Sequence, residues 1–482
     1  MSILLELWPW LTAGIHLILA LCAAGHAVMR KRDTRAAIGW VGLIWLTPLI
    51  GSLLYFSLGI NRIRRRGTAI SHSFAHIRAK LDAAFGERSS DATAAPWESP
   101  AHRQLVRLVS ELTNASLLSG NRLGPLVGGE QAYPAMLAAI DGAQHTVSLC
   151  SYIFDNDRSG SEFIDALARA QSRGVQVRVL VDAVGLRYTK PTSQVAMLKR
   201  GLMCAAFMRT HAPRLLAYAN LRNHRKIMVV DGKIGFTGGM NIREGCRLDR
   251  DPPHPVQDLH FRVAGPVVVH LQKSFVRDWA FTTRELLTGH EWFPDPERAG
   301  STWARGISHG PDEDFERLHQ TILGAITVAQ SRIIVCTPYF LPDVALVAGL
   351  RVAAMRGVDV RIVLPARNNI KLVHWASRAM WWQLLERGCR IFLSPPPFDH
   401  TKLMLVDNGW SLLGSTNWDP RALRLNFEFN VECYDPGLNA QLSKLIDQTV
   451  SRSREVSFED VERRGIPTRL LDGTARLLSP YL

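Results

Sequence analysis

Two apolar stretches open the chain. From Leu7 to Met29 and again from Ala36 to Leu58 no Asp, Glu, Lys or Arg occurs, and each stretch is long enough to cross ~30 Å of hydrocarbon as a helix. The pattern predicts a membrane hairpin over residues 1–66. Trp8, Trp10 and Tyr55 stand near its ends as interfacial anchors, and both polar flanks are basic: Arg30, Lys31, Arg32 and Arg35 between the stretches, then Arg62, Arg64, Arg65 and Arg66. No basic residue precedes the first stretch and no small-residue cleavage pattern follows it, which sets it apart from a cleavable signal peptide. If both helices span, the two basic flanks compete for the same side and the globular remainder shares a side with Met1, read here as the cytoplasmic side.

After the hairpin the pattern becomes that of a soluble α/β protein. Residues 67–100 serve as a juxtamembrane segment and linker, ending in the small, polar, Pro-punctuated GERSSDATAAPWESP. An internal duplication follows. The run VSLCSYIF from Val147 has a counterpart in IIVCTPYF from Ile333, and RGVQVRVLVDAVG from Arg173 has one in RGVDVRIVLPARN from Arg356. Each copy reads as a β-rich strand, a helix (Phe163 to Ser172 or Val344 to Met355) and a second strand (Val175 to Val181 or Val358 to Leu364), a βαβ unit with a buried, largely parallel sheet. Two further short strands are expected at Ile227–Val230 and Leu403–Val406. Gly and Pro from 288 to 312 break the pattern, so the prediction is two similar lobes, 101–290 and 313–482, joined by a linker over 291–312.

Composition narrows the partners. At 482 residues and 47% apolar content the chain can bury more than one core, and 57 Lys and Arg against 43 Asp and Glu give a net charge of +14. That excess favours an anionic partner: nucleic acid, acidic lipid or a phosphate-bearing substrate. The seven cysteines are scattered with no C-x-x-C, which predicts buried reduced thiols, not a disulfide framework or zinc site.

The candidate chemistry lies just before and after those two short strands. His224, Lys226, Asp231, Gly238, Gly239 and Asn241 recur 176 positions later as His400, Lys402, Asp407, Gly414, Ser415 and Asn417, each copy reading H-x-K-x4-D-x6-G-[GS]-x-N. Two residues apart at a strand, each His and Lys is expected on one face. Together the copies supply what phosphoryl-centre chemistry needs without a metal or other cofactor. One imidazole attacks phosphorus, the other protonates the departing oxygen, and ammonium and amide groups hold the non-bridging oxygens.

These residues carry a family resemblance. The paired motif is the hallmark of the phospholipase D superfamily. NLRNHRKIMVVDG, FTGGMNI, HTKLMLVD, GSTNWDPR, LNFEFNVE, the opening hairpin and the LLSPYL ending resemble bacterial cardiolipin synthases over essentially the whole chain. The resemblance implies two phospholipase D-like lobes, with His224 as nucleophile, His400 as general acid and base, and Lys226, Lys402, Asn241 and Asn417 on phosphate, Gly239 and Ser415 lying in the same substrate site. Asp231 and Asp407 complete the catalytic motifs as supporting residues. An acidic residue orients each histidine: Glu428 in LNFEFN matches well, Asp258 more loosely because its segment is longer and Pro-rich. The resemblance further implies phosphatidyl transfer between two phosphatidylglycerol molecules, giving cardiolipin and glycerol through a phosphatidyl-histidine.

The motif itself leaves lipid and nucleic-acid phosphodiesters open. The hairpin favours lipid at the bacterial cytoplasmic membrane, with no nucleic-acid partner and with assembly into a homo-oligomer left open. A phospholipase D that hydrolyses lipid or uses another acceptor alcohol, and a membrane-anchored nuclease, stand as the alternatives. DGTAR at Asp472 reads as a turn before a helix, and the segment Lys371–Leu385, with Trp375, Trp381 and Trp382, reads either as packing on the sheet or as a membrane-interface contact.

Overall fold

The computed structural model describes residues 2–31, 33–59, 77, 79–80, 100–113, 115–208, 221–311 and 316–479. The basic run Arg62 to Arg66 and nearly all of the expected 67–100 linker lie outside the described residues. The chain forms two compact units, Met1–Thr68 and Ala69–Leu482.

The first unit begins with α1 (Ser2–Arg30), of which Trp10–Arg30 is long and apolar enough to cross a membrane. The second apolar stretch, expected as one membrane-long helix from Ala36 to Leu58, is instead broken into α2 (Thr34–Leu46), α3 (Pro48–Leu54) and a π-helical turn, Tyr55–Gly59. Pro48 is the cause. It has no N–H to continue the ladder, its ring would strike the carbonyl four residues back, and it pushes Thr47 out of the helical region to φ −140° and ψ 76°. Ala20, Ala23, Ala24 and Ala27 of α1 pack with Ile44 and Tyr55, small side chains that allow close helix contact.

The second unit is built on one sheet made twice. In the first half β1 (Leu118–Val127), β2 (Thr146–Ser151), β3 (Gln176–Asp182), β4 (Cys204–Phe207), β5 (Arg222–Asn223), β6 (Ile227–Val230), β7 (Ile234–Gly238), β8 (Val256–Gln257) and β9 (Leu259–Ala264) follow one another. In the second come β10 (Thr302–His309), β11 (Arg332–Cys336), β12 (Asp359–Pro365), β13 (Arg390–Ser394), β14 (Phe398–Asp399), β15 (Leu403–Val406), β16 (Trp410–Gly414), β17 (Asn426–Tyr434) and β18 (Arg454–Val456). The spatial order β4-β3-β2-β6-β7-β9-β1 is repeated as β13-β12-β11-β15-β16-β17-β10, with β18 beyond β13. The copies meet where β1 and β10 pair antiparallel, Leu118 opposite Ala304 and Asn121 opposite Thr302.

Each predicted βαβ unit is present: β2 and β3 are parallel with the helix Arg158–Ser172 between them, and β11 and β12 are parallel around the helix Val344–Met355. Apart from the two-residue β5–β17 pair, parallel pairing within the main sheet is confined to β2-β3-β4 and β11-β12-β13, so the sheet is mixed but less parallel than expected. The reason is loop length. Three residues, 231–233 or 407–409, join β6 to β7 and β15 to β16, and so short a connection closes only an antiparallel hairpin.

The expected linker over 291–312 also needs correction, because it contains β10, a central strand. Its Gly306 is not a breaker: a Cβ there would lie 2.6 Å from the Phe429 ring and 2.7 Å from His270, so glycine is what lets β10 and β17 lie together under the helix Val268–Thr283. Arg305 of β10 pairs with Glu432 of β17 with both side chains fully buried.

Two smaller expectations resolve. DGTAR lies inside the helix Ile466–Leu477, where Asp472 is buried against Arg378 and Arg464 (2.8 Å). In the Lys371–Leu385 segment Trp381 is buried, Trp375 packs on a small core with Leu341 and Ala475, and Trp382 stays exposed. Among the described residues all seven cysteines are unpaired, five of them buried.

Candidate active site

The histidines stand where strands of one half run beside strands of the other. β5 pairs parallel with β17, Asn223 opposite Phe427, and the next residue, His224, donates its backbone N–H to the Phe427 carbonyl (2.9 Å). In the mirror arrangement β14 pairs parallel with β8, Asp399 opposite Gln257, and the His400 N–H donates to the Gln257 carbonyl (2.8 Å). The residue after each carbonyl is the carboxylate: His224 Nδ1 lies 3.0 and 3.1 Å from the Glu428 oxygens, and His400 Nδ1 lies 2.8 Å from Asp258 Oδ2. Both expected partners are therefore present, and each comes from the opposite half. A carboxylate in this position accepts a hydrogen bond from Nδ1–H and so keeps the proton on Nδ1, which leaves Nε2 of each ring with its lone pair.

The lysines share the cluster. Lys226 Nζ donates to the His224 carbonyl (2.7 Å), and Lys402 Nζ donates to the His400 carbonyl while lying 2.9 Å from His400 Nδ1. All six groups are buried. Burial, first of all, lowers Lys226 to about 7 and Lys402 to about 8; Glu428 and Asp258 pull the other way. Burial and then the two lysines hold His224 well below its ordinary value, and burial with Lys402 takes His400 down to about 3, so burial favours the neutral form of both imidazoles. The carboxylates differ. Burial raises Glu428 to about 7, whereas for Asp258 the nearby Lys402 and His400 outweigh burial and hold it below the carboxylate range.

The glycines set the spacing. Gly238 and Gly414 have φ of 150° and 157°, and a Cβ on Gly238 would come within 2.7 Å of the Leu259 carbonyl, while one on Gly414 would strike the Phe429 carbonyl. Each thus brings its strand against the carboxylate-bearing strand. Gly239 abuts Asp258, and Ser415 donates its hydroxyl to Glu428 and receives the Phe429 N–H (3.0 Å). Asn241 accepts the Ile153 N–H at its side-chain oxygen (3.1 Å), and Asn417 is buried.

Asp231 and Asp407 are not in the cluster. They sit at the far ends of β6 and β15, about 16 Å along the chain from the lysines at ~3.3 Å per residue, with φ of 51° and 49°. Asp231 accepts the N–H groups of His145 (2.7 Å), Thr146 (2.8 Å) and Gln144 (2.9 Å); Asp407 accepts those of Ser331 (2.7 Å), Arg332 (3.0 Å) and Gln330 (3.0 Å). They fix the starts of β2 and β11.

Sequence reading passed over two residues that the fold brings to the site. Arg225, between His224 and Lys226, is fully buried: it pairs with Asp278 and donates to the Glu428 carbonyl (3.1 Å), Ser308 Oγ (2.8 Å) and the His309 carbonyl (3.2 Å). Its one available signal was a third charge inside an H-x-K triplet. Tyr152, directly after β2, meets the His224 ring edge-on at 5.0 Å and lies 5.5 Å from Lys226 Nζ.

A duplicated α/β sheet whose halves each send a His and a Lys into one buried cluster, each His on the other half's carboxylate, defines an enzyme of the phospholipase D type. The family model described as "Cardiolipin synthase, PLD-like domain" matches residues 136–279 and 322–450, and the one described as "Phospholipase_D-nuclease N-terminal" matches 18–59. The chain belongs to the cardiolipin synthase PLD-like family. Cardiolipin synthase A of Pseudomonas putida is 32% identical over 485 residues, 98% of this chain and 98% of that one. Its namesake in Pseudomonas entomophila is 33% identical over 484 residues, again 98% of each. In fold, the chain is similar to the crystal structure of phosphatidylserine synthase from Haemophilus influenzae, with a TM-score of 0.61 and 15% identity over 78% of this chain and 100% of that one.

Proposed function

We propose that this protein is a cardiolipin synthase that transfers the phosphatidyl group of one phosphatidylglycerol to the hydroxyl of another. The observation that carries the reading is the crossed pairing, His224 on Glu428 and His400 on Asp258, which makes two motifs one site with two imidazoles. His224 Nε2 attacks phosphorus, the bond to the glycerol oxygen breaks, and His400 gives that oxygen its proton. The anionic phosphate opposes the burial that holds His400 low, so the proton is carried only when lipid is bound. In the second half of the cycle the headgroup hydroxyl of another phosphatidylglycerol loses its proton to His400, its oxygen attacks phosphorus, and the P–N bond breaks to free His224. One phosphodiester is lost and one is made, so no nucleotide is consumed.

Lys226 and Lys402 bind the non-bridging oxygens, with Asn241 and Asn417 at their side and Gly239 and Ser415 shaping the wall. Asp231 and Asp407 act through the backbone, at a distance from phosphorus. Glu428 and Asp258 fix the ring tautomers. The partners are phosphatidylglycerol and membrane lipid, not nucleic acid; the location is the bacterial cytoplasmic (inner) membrane, entered through the first unit, with the catalytic unit on the cytoplasmic face.

The test is turnover by purified full-length protein of phosphatidylglycerol in chelator-containing detergent. Cardiolipin and free glycerol in equal amounts are expected. Phosphatidic acid alone would make the protein a hydrolase, and cleavage of nucleic acid without lipid turnover would overturn the reading altogether.

A further inference from the structure

Trp40 lies in α2 and Tyr55 just beyond α3. On a continuous helix fifteen residues would separate them by about 22 Å, yet their rings meet edge-on at 5.5 Å. α3 has turned back along α2. A Cβ on Gly51 would lie 2.5 Å from the Leu43 carbonyl oxygen, and one on Gly59 would lie 3.1 Å from the Trp40 ring. The return point is fixed by α1. Tyr55 bonds through its hydroxyl to His26 Nδ1 (2.7 Å), and Lys31 Nζ sits 5.9 Å from the Trp40 ring. His26 lies in the last turns of α1 and Lys31 directly follows it, so by Gly59 the chain has come back to the end of α1 from which it left.

We propose that α1 crosses the bilayer and that α2 and α3 form a re-entrant hairpin which dips into one leaflet and returns, placing the catalytic unit on the side opposite Met1. Length supports it: α2 has 13 residues and α3 with its π turn has 7 and 5, so each arm is about 20 Å, short of the ~30 Å of hydrocarbon. The tip is apolar and bare, with Leu46 82% and Ile50 61% exposed, which suits lipid and not water. It also leaves little backbone for lipid to strand. At the turn Thr47 sends both its N–H (3.0 Å) and its hydroxyl (2.9 Å) to the Leu43 carbonyl, and Gly51 N–H donates to Thr47 (2.6 Å).

Charge then decides the side. With two full spans, Arg30, Lys31, Arg32 and Arg35 would lie across the membrane from Arg62, Arg64, Arg65 and Arg66. With a re-entrant hairpin both clusters flank the same face, and residues 2–9 before the span hold Glu6 and no Lys or Arg. The positive-inside rule makes that common face cytoplasmic.

This inference rests on the membrane location proposed above and not on the lipid chemistry. It is tested on the full chain in right-side-out and inverted membrane vesicles, using a membrane-impermeant maleimide and single added cysteines, with the unmodified chain as blank. Ser2→Cys is expected to react in right-side-out vesicles, Arg35→Cys and Ser451→Cys in inverted ones, and Leu46→Cys in neither. An epitope before Met1, read by antibody on the same vesicles, reports the side of Met1 without any substitution. Ser2→Cys and Ser451→Cys reacting in the same preparation, or Leu46→Cys reacting in the right-side-out one, would overturn the re-entrant hairpin. Release of the unmodified chain by alkaline carbonate would overturn the membrane location itself, whatever lipid turnover in detergent shows.

Discussion

Each histidine takes its carboxylate from the other half, so the ring tautomer depends on both halves being in place. Replacing either carboxylate by its amide, Glu428→Gln or Asp258→Asn, keeps the shape but not the preference for a proton on Nδ1. Turnover is expected to fall on the order of 10²-fold or more with melting temperature little changed; an equal loss of both would mean that the pair is structural. Arg225 is the opposite case. Arg225→Met leaves Asp278 as a buried, uncompensated charge and should cost about 3–5 kcal/mol, read by denaturant unfolding. The lysines set the pH dependence. Held low by burial at about 7 and about 8, they carry charge below those values and lose it as pH rises through them. Because lipid phosphate needs that charge, kcat/KM should decline across this window, and a flat profile there would contradict phosphate binding by Lys226 and Lys402. The motif made His224, His400 and the lysines legible in sequence, since two copies at matched spacing mark function. Arg225 was not legible and Tyr152 was ambiguous, its place in SYIFDNDRSG fitting a strand-to-helix turn equally well, because their contacts with Asp278, Glu428 and His224 do not show in spacing.

The strands carrying these side chains are short and held by close approach. At Gly414 a Cβ would meet the Phe429 carbonyl with φ at 157°, so Gly414→Ala should lower stability by roughly 1–3 kcal/mol and draw Ser415 away from Glu428. Thermal melts and turnover together check this; an unchanged melt would mean that β16 and β17 have room to spare. The strands Ile227–Val230 and Leu403–Val406 and the two βαβ units follow directly from apolar runs and period. Where reading by pattern failed, glycine and proline had two meanings. Gly306 reads as a break but is a packing glycine inside β10, and Pro48, inside a run apolar enough to span, is a turn. The sheet is less parallel than its βαβ units suggest, because the short turns at Asp231 and Asp407 reverse the chain.

Across the whole catalytic unit, β1 and β10 join two copies of one sheet, and β5 with β17 and β8 with β14 carry segments of each copy across to the other. A single lobe would hold a histidine without its carboxylate, which is why duplication and crossing belong together. The apolar stretches at the start are legible in the sequence, while the path of the second stretch depends on contacts such as Trp40 with Tyr55, far apart in sequence. The most direct measurement traps the intermediate. His400→Ala protein is mixed with phosphatidylglycerol in metal-free, chelator-containing detergent, quenched and digested, and its histidine-bearing peptides are weighed. A phosphatidyl adduct on His224, absent from the His224→Ala protein, is the predicted result. An adduct on His400 in the native chain, or labelling that survives His224→Ala, would contradict one shared site with His224 as its nucleophile.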